Sequence, residues 1–272
     1  MILVNQDIKL ENTSNIINEK APSISGIVTG ECRGRLWVDR TDHPRIAIVE
    51  SYATGSFAFL GVYQSMDDFI SLKNFLEKEL FIQLKNSGYD SFEFSIDNDS
   101  LREGILELFK HKSLQSEQEC SFRAYAIPDK NPVIPRDYQI RKVEDNFWKQ
   151  LSEGQYKNGE FIKLRLLENW PSFKAFMNRS IAYCAVCDRR IVAVIIGTAS
   201  YSRTIAIDIE TEEKHRGKGL GYAMASAFIA DCLDHDYIPQ WDCMESNQSS
   251  YQLAGKLGFE KMNENTVYWF DI

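Results

Sequence analysis

Arg216-Gly-Lys-Gly-Leu-Gly221 is the stretch of this chain whose residue types and spacing speak most directly of chemistry. It follows Thr204-Ile-Ala-Ile-Asp-Ile-Glu-Thr211, which alternates apolar and polar residues as a half-buried strand does, and it opens a helical run of small and apolar residues reaching about Leu233. Three glycines in the turn let backbone N–H groups crowd around an anion without obstruction by side chains. The helix that follows aims the positive end of its dipole at the same place. Lys214, His215, Arg216 and Lys218 form the densest basic cluster of the segment, in a chain with 31 Lys and Arg against 39 Asp and Glu. A local basic cradle in an acidic protein implies a bound polyanion and not a general surface field.

Two familiar phosphate-binding patterns do not fit. A P-loop needs G-x-x-x-x-G-K-[ST], and no Lys-Ser or Lys-Thr follows Gly219–Gly221. A dinucleotide fingerprint needs G-x-G-x-x-G within a parallel βαβ unit, whereas the spacing from Gly217 to Gly221 is different and the preceding strands read as antiparallel. Cys184-Ala-Val-Cys187 matches C-x-x-C, but it lies in the apolar, strand-like run Ile181–Cys187, where residues three apart point to opposite faces and cannot readily share a disulfide or a metal. No second CxxC or paired histidine follows at zinc spacing, so no metal is expected, and the cysteines read as reduced and buried. His43, His111 and His235 fall near element ends and read as surface positions.

The elements that must position the glycine turn are legible around it. A strand is expected at 138–143, helices at about 145–154 and 168–177, and two β-rich runs at 181–187 and 191–201 joined with hairpin spacing. The strand at 204–211 and the glycine turn with its helix follow, then a strand at 238–244, a short helix at 249–257 and a last strand at 266–270. This order implies a mixed α/β sheet. Pro128, Pro132 and Pro135 interrupt any period upstream, so 129–137 reads as a linker between an N-terminal lobe, 1–128, and a second domain, 138–272. The N-terminal lobe repeats a similar order without the glycine turn: strands at 35–39, 46–50 and 57–62, a helix with apolar Phe69, Leu72, Phe75, Leu76 and Leu80, then strand 91–96, helix 101–109 and strand 121–126. Ser65 with Asp68 three residues on marks the start of that first helix.

Composition bounds the rest. A length of 272 residues suits about two domains. With 44% apolar residues, 16 Phe, 12 Tyr and 5 Trp, a buried core is assured. A net charge of −8 argues against nucleic acid and anionic membranes as partners. The longest apolar run, about Ile191–Gly197, is far short of a membrane span, and the first residues lack the pattern of a secretory signal, so a cytoplasmic location is expected.

The glycine turn after a strand, as R-x-x-G-x-G, resembles the coenzyme A pyrophosphate loop of the GNAT family of N-acetyltransferases. Asn247 followed by Leu253-Ala-Gly-Lys-Leu-Gly-Phe259 resembles a later segment of the same family. With Glu168-Asn-Trp-Pro-Ser-Phe-Lys-Ala-Phe176, the chain looks like a two-lobed branch that contains zwittermicin-type antibiotic-resistance acetyltransferases. The resemblance implies a GNAT-like acyl-CoA N-acyltransferase fold preceded by a second, degenerate GNAT-like lobe. It implies acetyl-CoA as co-substrate, no metal, and a small-molecule primary amine that attacks the thioester directly through a tetrahedral intermediate. A homodimer stays open. So does a second reading, a non-catalytic acyl-CoA-binding or regulatory module.

Residue by residue, the resemblance assigns the backbone of Ile209 and Thr211 to the pantetheine arm, an N–H near Ile209 to the thioester carbonyl, and Asn247 to a pantetheine hydrogen bond. The N–H groups of Gly217, Lys218, Gly219, Leu220 and Gly221 would hold the pyrophosphate, with Arg216 fixing the loop. One departure is evident: where many relatives carry a tyrosine that protonates the leaving thiolate, this chain has Ala254. Tyr251 or Ser250, about one turn earlier, is the candidate replacement, against a reading of Tyr251 as a packing residue. Among Asp208, Glu210 and Glu212, which share a strand face, Glu210 is the candidate general base, against a reading as a solvated strand-edge carboxylate. Asp242 and Glu245 are candidates to orient a cationic amine, and Trp241 to line the acceptor pocket.

Overall fold

The computed structural model of the protein describes residues 1–5 and 8–272. In chain order its strands are β1 (Ile2–Leu3), β2 (Gly34–Val38), β3 (Ile46–Ser51), β4 (Ser56–Gly61), β5 (Ser91–Ile96), β6 (Gln115–Arg123), β7 (Tyr138–Lys142), β8 (Ala182–Cys187), β9 (Arg190–Tyr201), β10 (Thr204–Thr211), β11 (Ile238–Met244) and β12 (Glu260–Asp271). The α-helices are α1 (Pro22–Val28), α2 (Met66–Phe75), α3 (Phe81–Asn86), α4 (Asp99–Leu108), α5 (Asp145–Ser152), α6 (Glu160–Asn169), α7 (Phe173–Met177), α8 (Leu220–Asp234) and α9 (Gln248–Lys256).

These elements form two compact units. One comprises Met1–Glu119 together with Glu264–Ile272, the other Cys120–Asn263. The division differs from the one expected at 129–137. The proline-rich segment belongs wholly to the second unit, and the last nine residues belong to the first. The reason is hydrogen bonding: residues Val267–Asp271 of β12 pair antiparallel with β5, from Val267 opposite Ser95 to Asp271 opposite Ser91.

In the first unit the strand order is β1-β2-β3-β4-β5-β12, with β4 and β5 parallel. Ser65 caps α2 by accepting from the Asp68 N–H at 3.2 Å, as the sequence implies. That helix then runs through a π turn, Leu76–Leu80, into α3 and stops at Gly88, whose φ of +83° relieves the turn. Phe57, Phe59, Phe92, Phe94 and Phe270 are almost wholly buried beneath these helices.

In the second unit the order is β6-β11-β10-β9-β8-β7. Helices α5, α6 and α7 cover one face, with Ile162, Leu166, Trp170 and Phe176 packed on Cys184, Val194 and Ile196. Helix α8 covers the other, with Met224, Ala225 and Phe228 packed on Ala185, Ala193 and Ile195. Cys184 and Cys187 accordingly sit in different cores, and burial pushes the Cys184 thiol up to about 12. The single helix expected at 168–177 is instead two elements. Trp170 is extended, with Pro171 behind it, and Ser172 starts α7 by capping Ala175 N–H at 3.1 Å. Helix α6 was not anticipated, although Ile162, Leu166 and Asn169 supply a buried stripe at helical spacing.

One detail of this sheet determines what can happen at its centre. β10 and β11 run parallel but pair only over Thr204–Ala206 against Ile238–Gln240. Between Ala206 and Ile207 the register of β10 shifts against β9, and beyond that point β10 follows β9 alone. A bulge bends its strand and sharpens the twist, so the two parallel strands part. Gly197 lies opposite Ile207 at this bend. A Cβ there would meet Ser180 Oγ at 2.2 Å and Ile205 Cγ2 at 2.5 Å, while its carbonyl accepts from Trp170 Nε1 at 2.9 Å and Ser180 Oγ at 2.7 Å. Gly197→Ala is therefore expected to cost about 1–3 kcal/mol by overpacking, seen as a lower urea midpoint.

Candidate active site

The parting of β10 from β11 leaves a strand edge uncovered. Glu212 N–H donates to Val192 O at 2.9 Å. Since antiparallel partners alternate between bonded and non-bonded pairs, Glu210 and Asp208 turn their backbone groups to β9, and Thr211, Ile209 and Ile207 turn theirs away. The N–H and C=O groups of Ile209 and Thr211 thus point into the gap. One of them is already engaged: Arg216 Nε donates to Thr211 O at 3.1 Å, tying the end of β10 to the glycine turn. An amide-bearing chain laid along this edge would find the Ile209 groups and the Thr211 N–H, but would compete with Arg216 for the Thr211 carbonyl.

Past Thr211 the chain makes a short 3-10 turn, Glu213–His215, and enters α8 through the glycines. Gly217 has φ of +73° and Gly219, the N-cap residue, has φ of +78°. Ala223 N–H closes the first helical bond on Gly219 O at 3.0 Å. The N–H groups of Leu220, Gly221 and Tyr222 lie before it and have no intrahelical acceptor, which makes them an anion seat. A Cβ on Gly219 would meet Val133 O at 2.8 Å, and one on Gly221 would meet Leu253 Cδ2 at 3.2 Å. Val133 belongs to the segment expected to be a linker. That segment lies along the turn, with Tyr222 Oη donating to Lys130 O at 3.0 Å.

The basic cluster is less uniform than its sequence suggests. Lys218 turns its side chain to β7, where Nζ donates to Tyr138 Oη at 2.6 Å and is held above its ordinary pKa by that bond. Tyr138 Oη in turn lies 2.8 Å from His215 Nδ1. Lys218 therefore braces the turn, and its backbone N–H is the part directed by the turn itself.

The three catalytic candidates do not converge on one face. Ile205, Ile207 and Ile209 pack into the α8 core, so Asp208 and Glu210 face the side covered by α5–α7. Gln240 and Asp242 alternate with Trp241 and Cys243 in the same way and share that side. Tyr251 lies across the sheet: it packs on the α8 core with its ring edge-on to Phe122, centroids 5.1 Å apart. Asn247 caps α9, its Oδ1 accepting from Ser250 N–H at 3.2 Å and Ser249 Oγ at 3.0 Å, which leaves its amide NH₂ to donate to a ligand. Ser250 Oγ accepts from Trp241 Nε1 at 2.8 Å. Trp241 is only 3% exposed and packs edge-on to Phe259, so it is a core residue and not the wall of an acceptor pocket. Ala254 is fully buried in the same core.

Arg165, on α6, joins the site without a signal of its own in the sequence. Its guanidinium forks between Asp208 and Glu210, Nη1 on one carboxylate and Nη2 on the other, and lies over the Phe161 ring at 5.4 Å. The signal was the helical stripe of α6, which turns Arg165 toward the strand face carrying alternate carboxylates. Next on the strand, Glu212 is held by Arg190 and by Asn158 Nδ2 at 3.0 Å, and its pKa falls below the usual range mainly through the Arg190 bond. Asp242 accepts from Gln240 Nε2 at 3.1 and 3.2 Å, and Arg123 Nε donates to Gln240 Oε1 at 2.9 Å. Desolvation raises the Asp242 pKa, against hydrogen bonds from Ser121 and Gln240 and the charge of Arg123 that lower it.

A mixed sheet whose central parallel strands part beside a glycine-opened helix defines the acyl-CoA N-acyltransferase class of fold. This chain belongs to the GNAT acetyltransferase family, whose family model matches residues 15–268. It is 34% identical over 136 residues to the uncharacterized N-acetyltransferase YdfB of Bacillus subtilis; the match covers 50% of this chain, which thus spans about half (49%) of that curated relative. Among solved structures, a GCN5-related N-acetyltransferase-like protein from Streptococcus suis superposes with a TM-score of 0.59 at 20% identity, covering 87% of this chain and 88% of that one. A tandem GNAT protein from the clavulanic acid biosynthesis pathway gives 0.53 at 12% identity, covering 89% and 83%. At such identities the likeness is one of fold, and the second fits a chain of two lobes.

Two outcomes test the site. Gly219→Ala must force a left-handed φ on a residue with a Cβ and push against the Val133 carbonyl, a cost of at least about 1–2 kcal/mol, read as a lower urea midpoint. For Asp242 the folded-state pKa is raised, so its ionisation opposes folding: its favourable contribution is present at low pH and lost as pH rises through the folded value. Asp242→Asn is expected to gain stability relative to the wild type as pH rises from about 4 to 8, measured by urea midpoints across that range.

Proposed function

We propose that the chain transfers an acetyl group from acetyl-CoA to the primary amine of a small molecule. The observation that carries this reading is the gap between β10 and β11, with a strand edge at Ile209 and the Thr211 N–H that β11 leaves uncovered, leading to the anion seat at the start of α8. The residues present fit the co-substrate. A strand edge pairs with the amides of a pantetheine arm. Gly219, with no room for a Cβ, lets phosphates approach the N–H groups of Leu220 and Gly221. Asn247 keeps its NH₂ for a pantetheine carbonyl.

The division of candidates between the two faces suits the reaction. The amine nitrogen attacks the thioester carbon, a C–N bond forms, the C–S bond breaks and the nitrogen loses a proton. Glu210 and Asp242 line the face from which an amine would come, Glu210 to take the proton through water and Asp242 to orient the cation. Tyr251 lies on the face of the departing sulfur. A thiol with a pKa near ~8.5 also leaves tolerably as an anion, so Ala254 is no bar to turnover. Arg165 offsets one of the two carboxylates it bridges, so Asp208, Glu210 and Arg165 together carry one net negative charge, the complement of a single ammonium. The resemblance of residues 168–176 to zwittermicin-type resistance enzymes supports a polar, amine-bearing acceptor.

The burial of Ala254 where relatives carry a tyrosine favours a second reading, a module that binds acyl-CoA without turning it over. Thiol release from acetyl-CoA with a panel of primary amines separates the two. Release is expected, with Glu210→Gln lowering kcat by about 10²–10⁴ while the thermal shift by acetyl-CoA is kept. A thermal shift in the wild type with no release from any amine would establish the second reading instead.

A further inference from the structure

The first unit carries no glycine turn, but it does carry a cavity of about 230 Å³. Its floor is apolar: Leu76, Leu108 and Phe109 are buried, and Phe81 stands beside Phe109 with centroids 6.0 Å apart. Its rim carries Lys73, Lys85, His111 and Lys112 with one acidic side chain, Glu77, and Ile272, which bears the main-chain carboxylate, also lines it. Glu77 lies 3.9 Å from Lys73 and accounts for that charge. Lys112 sits 5.1 Å over the Phe270 ring, and among the described residues neither it nor Lys85 has a carboxylate at ion-pair distance. Lys85 and Lys112 against the one main-chain carboxylate of Ile272 leave this rim with a positive balance in a protein of net charge −8.

The wall of the cavity is also locally irregular. Leu76 and Glu77 begin the π turn that interrupts the long helix between α2 and α3. Such turns insert one residue at a cost in hydrogen-bond geometry and are found frequently at functional sites. Size then sets what the cavity encloses. A closed cavity of about 150 Å³ accepts benzene, so this one, open on one side, encloses about a single ring and leaves a charged substituent at its mouth.

We propose that the first unit binds a small aryl carboxylate here. The ring lies against Phe81 and Phe109, where offset or edge-on contacts are favourable, and the carboxylate is held at the mouth by Lys85 and Lys112 in charge-assisted hydrogen bonds. This site lies wholly within the unit that lacks the glycine turn and does not depend on acetyl transfer.

The test is a ¹⁹F NMR titration of the full chain with 4-fluorophenylacetate, repeated with 4-fluorobenzyl alcohol as a neutral analogue and with acetyl-CoA present throughout. Saturable binding is expected, unaffected by acetyl-CoA and weaker for the alcohol by about tenfold. The double variant Lys85→Glu, Lys112→Glu should weaken it by at least as much. Ile82→Glu, which places a carboxylate on an exposed residue of the lining, should do the same with both lysines intact. Unchanged melting temperatures show that the variants fold. No saturation up to about 20 mM, equal binding of the alcohol, displacement by acetyl-CoA, or indifference to the charge reversals would each overturn the proposal.

Discussion

The structure of the second unit turns on where two parallel strands stop pairing. Three residue pairs hold β10 to β11, and a shift of register at Ala206/Ile207 then releases them. Everything chemical in this unit lies downstream of that release. The backbone groups of Ile209 and the Thr211 N–H lie unpaired with β11 because that strand has moved away, and the glycine turn, tied to the Thr211 carbonyl by Arg216, stands at the end of the same edge. Gly197 permits the bend from the neighbouring strand, where a side chain would strike Ser180 and Ile205. A sheet that stayed paired would bury the edge and close the gap.

Electrostatics on the α5–α7 face follow from the same geometry. Alternate residues of β10 present carboxylates, and bringing Asp208 and Glu210 to one face at strand spacing is costly unless a cation intervenes. Arg165 supplies it through a fork that matches two acceptors. Arg190 does the same for Glu212. The acidic row is thus largely compensated from within, and this face is not the open negative surface that the net charge suggests.

What the sequence disclosed was whatever sits close together along it. The glycine turn, its basic neighbours, the alternation of β10 and the Ser65 cap are local patterns, and each is found in the structure. The opposite faces of Cys184 and Cys187 followed from strand period alone. What escaped depends on residues distant in sequence. Helix α6 is not legible in the sequence because its stripe is short and its last turn leads into Trp170-Pro171, which the expected helix at 168–177 takes in. With it went Arg165, whose role exists only when α6 meets β10. The polar surroundings of Asp242 come from Ser121 and Arg123, some 120 residues earlier, on a strand whose polar start, Gln115–Glu119, hid its true beginning. Trp241 shows the converse: its position beside Asp242 suggested a ligand wall, but strand alternation sends it to the other core.

The return of residues 264–271 to β5 bears on how the protein is made. During synthesis the chain emerges from the N-terminus, and domains tend to fold as they appear. Here the second unit, Cys120–Asn263, is complete before the first has received its last strand. Until β12 arrives, β5 presents an open edge beside a cluster of phenylalanines, the kind of surface prone to wrong pairing. The lobe that is first in sequence is therefore finished only after the second, by a strand that follows it.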